Sequence, residues 1–295
     1  MSNDITLSTA TRSNLLSLQN TQTLIGKTQE RLATGLKVNS ALDDALAFFK
    51  ARNLNSRASD LSSIKDAITG GISVLTAAVQ GLQSIEDVLK QMKALAQSAI
   101  SAPESTTRAK LASQFNELRS QVDNLAEDAS FNGVNLLKNS TGAFTPGADQ
   151  LTVKFNERVE AKAVNQLVVS GLRAADFKTI VAQSAVTTGT GTTVWGQTGS
   201  AAVKAITSAI TAIDSALTTV RQASQAFGTN AALLQIRADF TTNLINTLKG
   251  GASELVNADL NEESANLLSL QTRQQLGTIS LSIAQRSEQS ILRLF

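Results

Sequence analysis

The sequence predicts a mainly α protein, an elongated antiparallel helical bundle with paired N- and C-terminal coiled-coil helices and a small β-hairpin region. Three observations carry this prediction. Apolar residues recur in steps of three and four along most of the 295 residues. The period shortens to two only between about residues 151 and 169. Ala, Ser and Thr dominate, beside 10 Phe, one Trp and no Tyr, which suits long helices at close range better than a thick core.

The N-terminal segment carries two heptad columns. Leu18, Ile25 and Leu32 form one; Leu15, Gln22, Gln29 and Leu36 form the other, polar at its centre. Gly35 suits the residue just past the helix end. Asn39 and Ser40 then read as a cap, with Asp43 and Asp44 in the first turn of the next helix, where negative charge suits the dipole.

Residues 43–100 form a second helical pattern, striped by Ile64, Ile68, Ile72, Leu75, Val79, Leu82, Ile85, Leu89, Met92 and Ala96. Gly70 and Gly71 predict a bend or weak point, at about 1 kcal/mol per Gly relative to Ala. Pro103 stops the helix. A third follows, capped by Ser105, Thr106 or Thr107, with Leu111, Phe115, Leu118, Val122 and Leu125 as its stripe. It ends at the turn signal Phe131-Asn132-Gly133.

Residues 151–155 and, more loosely, 166–169 alternate as strands. Residues 183–200 are rich in Gly, Thr and Ser and read as a loop, with Trp195 packed locally. Gly189 and Gly191 lack the Lys and the strand–helix setting of a phosphate loop.

The return limb keeps 4-3 spacing from Ile206 to Leu248, roughly six heptads, and Gly250-Gly251 is expected to end it. The last segment bears two apolar stripes. Leu267, Leu270, Leu281, Ala284, Ile291 and Phe295 form one; Leu268, Leu276, Ile279, Ile283 and Leu294 form the other. Two faces require two partners. The N-terminal helix can cover one, and another chain must cover the second. The absence of a Lys/Arg-rich polar face, with Glu262, Glu263 and Glu288 present, argues against a membrane surface.

Several function classes recede. Net charge is +2, without the clustered basic residues of a nucleic-acid binder. There is no run of 18 apolar residues, and the polar N-terminus lacks the apolar region of a cleavable signal. Zero Cys and zero His remove thiol chemistry, zinc-thiolate sites and the commonest general base. Asp43 and Asp44 point about 100° apart on a helix, and no further ligand converges on them, so a metal site is not expected. Neither an enzyme nor a cofactor is indicated.

The layout and the motifs at both ends resemble bacterial flagellin. Residues 30–45 read ERLATGLKVNSALDDA, close to the family's ERLxxGLxxNSAxDDA. Gly71-Ile72-Ser73, Phe131-Asn132-Gly133, Asn257 to Leu260, Gln274 to Gly277 and Ser290 to Phe295 follow in order. The C-terminal stretch is most similar to short flagellins of alphaproteobacteria. The resemblance implies an inner filament coiled-coil domain from residues 1–42 and 255–295. It implies a helical shaft domain from 43–175 and 201–254. Residues 176–200 would be a short outer loop in place of large surface domains.

The resemblance further implies self-assembly into a hollow motility filament, as a homopolymer or together with other flagellins. Export would use the flagellar apparatus and a chaperone without a cleaved leader, and cap and junction proteins would be partners. A hook–filament junction protein with similar termini is the alternative. Expected assembly contacts are Leu15, Leu18, Ile25, Leu32, Leu36, Leu267, Leu270, Leu276, Leu281, Ile283, Ile291, Leu294 and Phe295. In enterobacterial-type flagellins an Arg, a Leu and a Glu engage the host Toll-like receptor. The matching positions here are Gln91, Leu95 and Gln114, so both charges are replaced by neutral side chains.

Overall fold

The computed structural model describes residues 9–137, 145–157, 165–172, 194–196 and 200–292. The elements run α1 (Thr9–Thr34), α2 (Ala45–Ser101), α3 (Ser105–Asp128), β1 (Gln150–Lys154), β2 (Gln166–Ser170), a 3₁₀ turn (Val194–Gly196), α4 (Ser200–Val256) and α5 (Leu260–Leu292). The mainly helical class with one small antiparallel sheet is as expected. The chain packs as two compact units. One is Met1–Ala58 with Asn246–Phe295; the other is Ser59–Ile245.

The larger unit holds a continuous apolar core. From α2, Ile68, Leu75, Leu82, Ile85, Leu89, Met92 and Ala96 are buried, and Phe115 and Val122 join them from α3. Ile206, Ile213, Val220, Phe227 and Leu234 complete the core from α4. These are the stripes that the 3-4 spacing marks, because residues so spaced share one helix face. By length and hydropathy α2 could cross a membrane, but these apolar side chains are spent on the core.

The hairpin pairs Leu151 with Val169 and Val153 with Leu167, antiparallel. Its alternation turns Leu151, Val153 and Val169 inward. Gly71 makes room for it: a Cβ there would lie 2.7 Å from Val153 Cγ2 and 3.3 Å from Leu234 Cδ1. The Gly70-Gly71 pair therefore does not interrupt α2, which runs helical through both residues. Close packing outweighs a propensity cost of about 1 kcal/mol per glycine.

Two other boundaries also differ from expectation. Gly250-Gly251 does not end α4, which continues to Val256, with Leu54 Cδ1 3.8 Å from where a Gly251 Cβ would lie. The residue at the N-cap of α3 is Glu104, without a side-chain capping bond, rather than Ser105, Thr106 or Thr107. Ser105 is already the first helical residue.

The other end of α3 is built with more side-chain chemistry. Buried Asn135 donates from Nδ2 to the carbonyls of Ala126 and Glu127, both at 2.9 Å, and accepts from Leu137 N at 2.8 Å. Asn132 and Gly133 both take positive φ, 51° and 83°, which closes a two-residue turn between Phe131 and Val134. Trp195 is buried as expected, its ring centre 5.0 Å from that of Phe115. Arg108 Nε donates to the Trp195 carbonyl at 2.9 Å, and its Nη1 donates to Ala102 O at 2.8 Å.

Candidate assembly surface

The smaller unit is built differently. Its α1 and α5 pair along their lengths. Yet among the described side chains of α1 only one large apolar residue, Ile25, is buried, and in α5 only Glu263 is. A helix of 33 residues that buries no apolar side chain among those described has little tertiary support of its own.

The pairing is specific nonetheless. Arg31 Nη1 lies 2.9 Å from Glu263 Oε1, with the carboxylate nearly buried. Gln274 Nε2 donates to Gln22 Oε1 at 2.6 Å, so the polar centre of the second column finds a polar partner. Leu18 lies directly over Gly277. At the end of α1, Gly35 takes φ +72° and its N–H donates to Arg31 O at 2.8 Å. Lys37 N donates to Val256 O at 2.8 Å and Ala258 N to Gly35 O at 2.9 Å, joining the two connections. Asp259 then caps α5 through Asn261 N at 2.9 Å, and Glu262 and Glu263 occupy the first turn.

The turn before α2 corrects the expected capping. The helix begins at Ala45, so Asp43 lies outside its first turn. Asp44 is the capping side chain, accepting from Ala47 N at 2.9 Å. The Asp43 carboxylate accepts from Asn39 N at 3.2 Å and Ser40 N at 3.1 Å, and lies 3.3 Å from Lys27 Nζ. Hydrogen bonding from Ser40, then from Lys27, holds its pKa below the ordinary value of 3.8.

The expected contact residues divide by exposure. Ile25 is buried, and Leu18, Leu32, Leu36, Leu267, Leu270 and Leu281 are half-buried. Leu15, Leu276 and Ile283 are exposed, the last at 62%. The two stripes of α5 thus separate: the half-buried residues belong to the first and the exposed ones, with Leu268 and Ile279, to the second. The Ile291 side chain, Leu294 and Phe295 lie outside the described residues. Leu16 and Leu24, exposed on α1, were missed because they fall off both heptad columns. Arg31 with Glu263 was also missed; opposite charges on two paired segments are the only signal for it in the sequence. In the larger unit Gln91 and Gln114 are exposed and Leu95 is half-buried.

A long helical pair with one side bonded and the other apolar and wet defines a subunit of an assembly. The comparisons say which kind. The model of the bacterial flagellin N-terminal helical region matches residues 5–142, and that of the C-terminal helical region matches residues 210–295. Flagellin FljK of Caulobacter vibrioides is 34% identical over 283 residues, 95% of this chain and 94% of that protein. Flagellin C of Rhizobium meliloti is 30% identical over 296 residues, 91% of each. A Vibrio parahaemolyticus structure described as a flagellar hook-associated protein is similar in fold alone. It has a TM-score of 0.55 and 17% identity over 73% of this chain and all of that one. The chain belongs to the bacterial flagellin family. It is a subunit of the extracellular flagellar filament, which flagellins build by assembling with one another, and the junction alternative is not favoured.

Proposed function

We propose that residues 1–42 and 255–295 form the inner, channel-lining domain of the filament, and that 43–175 with 201–254 form its shaft. Residues 176–200, most of which lie outside the described residues, would supply a short outer loop, anchored where Trp195 is buried on Phe115. Assembly is driven by Leu15, Leu18, Ile25, Leu32 and Leu36 together with Leu267, Leu270, Leu276, Leu281, Ile283, Ile291, Leu294 and Phe295. The observation that carries this reading is the second stripe of α5. Leu268, Leu276, Ile279 and Ile283 are each more than half exposed, on a helix that lacks a buried apolar side chain among those described. Burying a large apolar side chain is worth about 1.5–3 kcal/mol. A neighbouring subunit therefore gains most by covering that stripe.

The role is structural rather than catalytic, and it needs no cofactor. Family likeness supports delivery by the flagellar export apparatus with a chaperone, and contacts with cap and junction proteins at the filament ends. It also supports weak engagement of the host Toll-like receptor. Gln91 and Gln114 stand where two charges would each make contacts worth about 1.5–3 kcal/mol. A reporter-cell assay showing potency equal to that of an enterobacterial flagellin overturns that last point.

Electron microscopy tests the assembly reading. Intact protein is polymerised beside a chain lacking residues 1–40 and 256–295. Long hollow filaments from the intact chain alone are expected. Filaments of equal length from the truncated chain overturn the placement of the contacts.

A further inference from the structure

Outside the α1–α5 pair, the exposed large apolar side chains among the described residues gather in two sets of three, apart from the scattered Ile100, Phe131, Val168 and Val203. Leu42, Leu46 and Phe49, at the entry to α2, are 98%, 67% and 53% exposed. Leu233, Ile236 and Phe240, on α4, are 40%, 66% and 59% exposed. Both sets rest on well-built backbone. The Asp43 and Asp44 carboxylates close the turn that carries Leu42. The second set is spaced three and four apart on one helix face, beside the buried stripe of Leu234, Ala238 and Thr241.

Taking about 200 Å² for one large apolar residue, the first set exposes roughly 440 Å² and the second roughly 330 Å², within the range of the largest patch on a typical monomer, which is often functional. Together they fall short of the roughly 1,200–2,000 Å² that holds a stable pair. Such patches suit a partner that other contacts also hold in place, and a second copy of this chain in a polymer is that partner. A patch meeting itself closes a dimer, whereas a patch meeting a different patch extends an open helical array. Both rims carry charge of both signs, Asp43, Asp44, Lys50 and Arg52 around the first set and Arg237 and Asp239 within the second, so each can meet opposite charge on the other.

We propose that Leu42, Leu46 and Phe49 of one copy pack on Leu233, Ile236 and Phe240 of another within the filament. The proposal rests on the filament reading above and adds to it a contact separate from the α1–α5 stripe.

The chain contains no Cys, so engineered thiols are unambiguous. Full-length Leu46→Cys and Ile236→Cys chains are co-assembled and the filaments oxidised. Disulfide-linked dimers are expected from the mixture, a ladder of dimers, trimers and larger species from the chain carrying both changes, and monomers from either change alone. Filaments whose mixed chains stay monomeric overturn the proposal and leave the filament reading standing. Linking of either single variant to itself also overturns it. Failure of the unsubstituted chain to form filaments strikes the filament reading instead.

A second measurement uses Leu46→Ser and Ile236→Ser, with helix content of the unassembled chains checked by circular dichroism. Each is expected to raise the critical concentration about tenfold. The two together are expected to raise it little further, because both remove one shared contact. A hundredfold rise in the combined variant indicates two independent contacts and overturns the pairing.

Discussion

Leu18 packs directly over Gly277: a Cβ built at residue 277 would lie 2.8 Å from Leu18 Cδ2 and 3.1 Å from its Cγ. This is the closest approach of α1 and α5 that a single hydrogen atom secures. A glycine inside a helix costs about 1 kcal/mol relative to Ala, and here it lets one column of α1 seat against the first stripe of α5. Gly277→Leu should drive Leu18 off its position at a cost of about 1–3 kcal/mol. Its filaments should melt at lower temperature, and Leu18→Ala in the same chain should restore part of the loss. A Gly277→Leu filament as heat-stable as the parent contradicts the packing argument.

Arg31→Ala should be more harmful than its place near a helix end suggests. Glu263 is nearly buried and its carboxylate is 2.9 Å from the Arg31 guanidinium. Removing the cation strands a desolvated charge, at about 1–3 kcal/mol. Replacing Glu263 with Gln as well should recover stability, which thermal unfolding of the two chains can compare.

Leu281 belongs to the half-buried stripe of α5, and the core of residues 59–245 does not use it. Leu281→Asp should abolish polymerisation, read by light scattering, while leaving the Trp195 environment in the larger unit unchanged by fluorescence. A shifted Trp195 spectrum in this variant shows damage beyond the assembly surface. Ile291→Asp is expected to block polymerisation in the same way.

Asp43 gives the turn before α2 an acid limit. Ser40 and Lys27 depress its pKa below 3.8. A depressed carboxylate contributes stability above its unfolded value and loses it as pH falls through the folded one. The turn should therefore be indifferent to pH from about 5 to 8 and loosen below about 4. Glu86, depressed mainly by Arg221 and then by Lys90, adds loss of the same sign in the larger unit. The protection of the Asn39 and Ser40 amides, taken relative to the intrinsic exchange rate at each pH, should fall in acid, and Asp43→Asn should remove that loss of protection.

Much of this was legible from residue order alone. The 3-4 spacing placed the core stripes of α2, α3 and α4 because a helix has one period, and burial must follow it. The change to period two located the hairpin, though its ends shifted by a residue. The two stripes of α5 were separable before any partner was known, since apolar residues on two faces cannot both be covered by α1.

Tertiary packing decided the rest, because it depends on what arrives from elsewhere in the chain. Glycine pairs read as breaks run on as helix, and one of them, at Gly71, is a place of close approach for Val153. Asp43 and Asp44 looked alike in sequence, yet one closes a turn onto Lys27 and the other caps α2. The ion pair of Arg31 with Glu263 spans 232 residues, a separation that no local pattern encodes. The exposure of Ile236 and Phe240 is of the same kind. A sequence marks an apolar residue off the stripe, but only the folded chain shows that nothing among the described residues of its own unit comes to cover it.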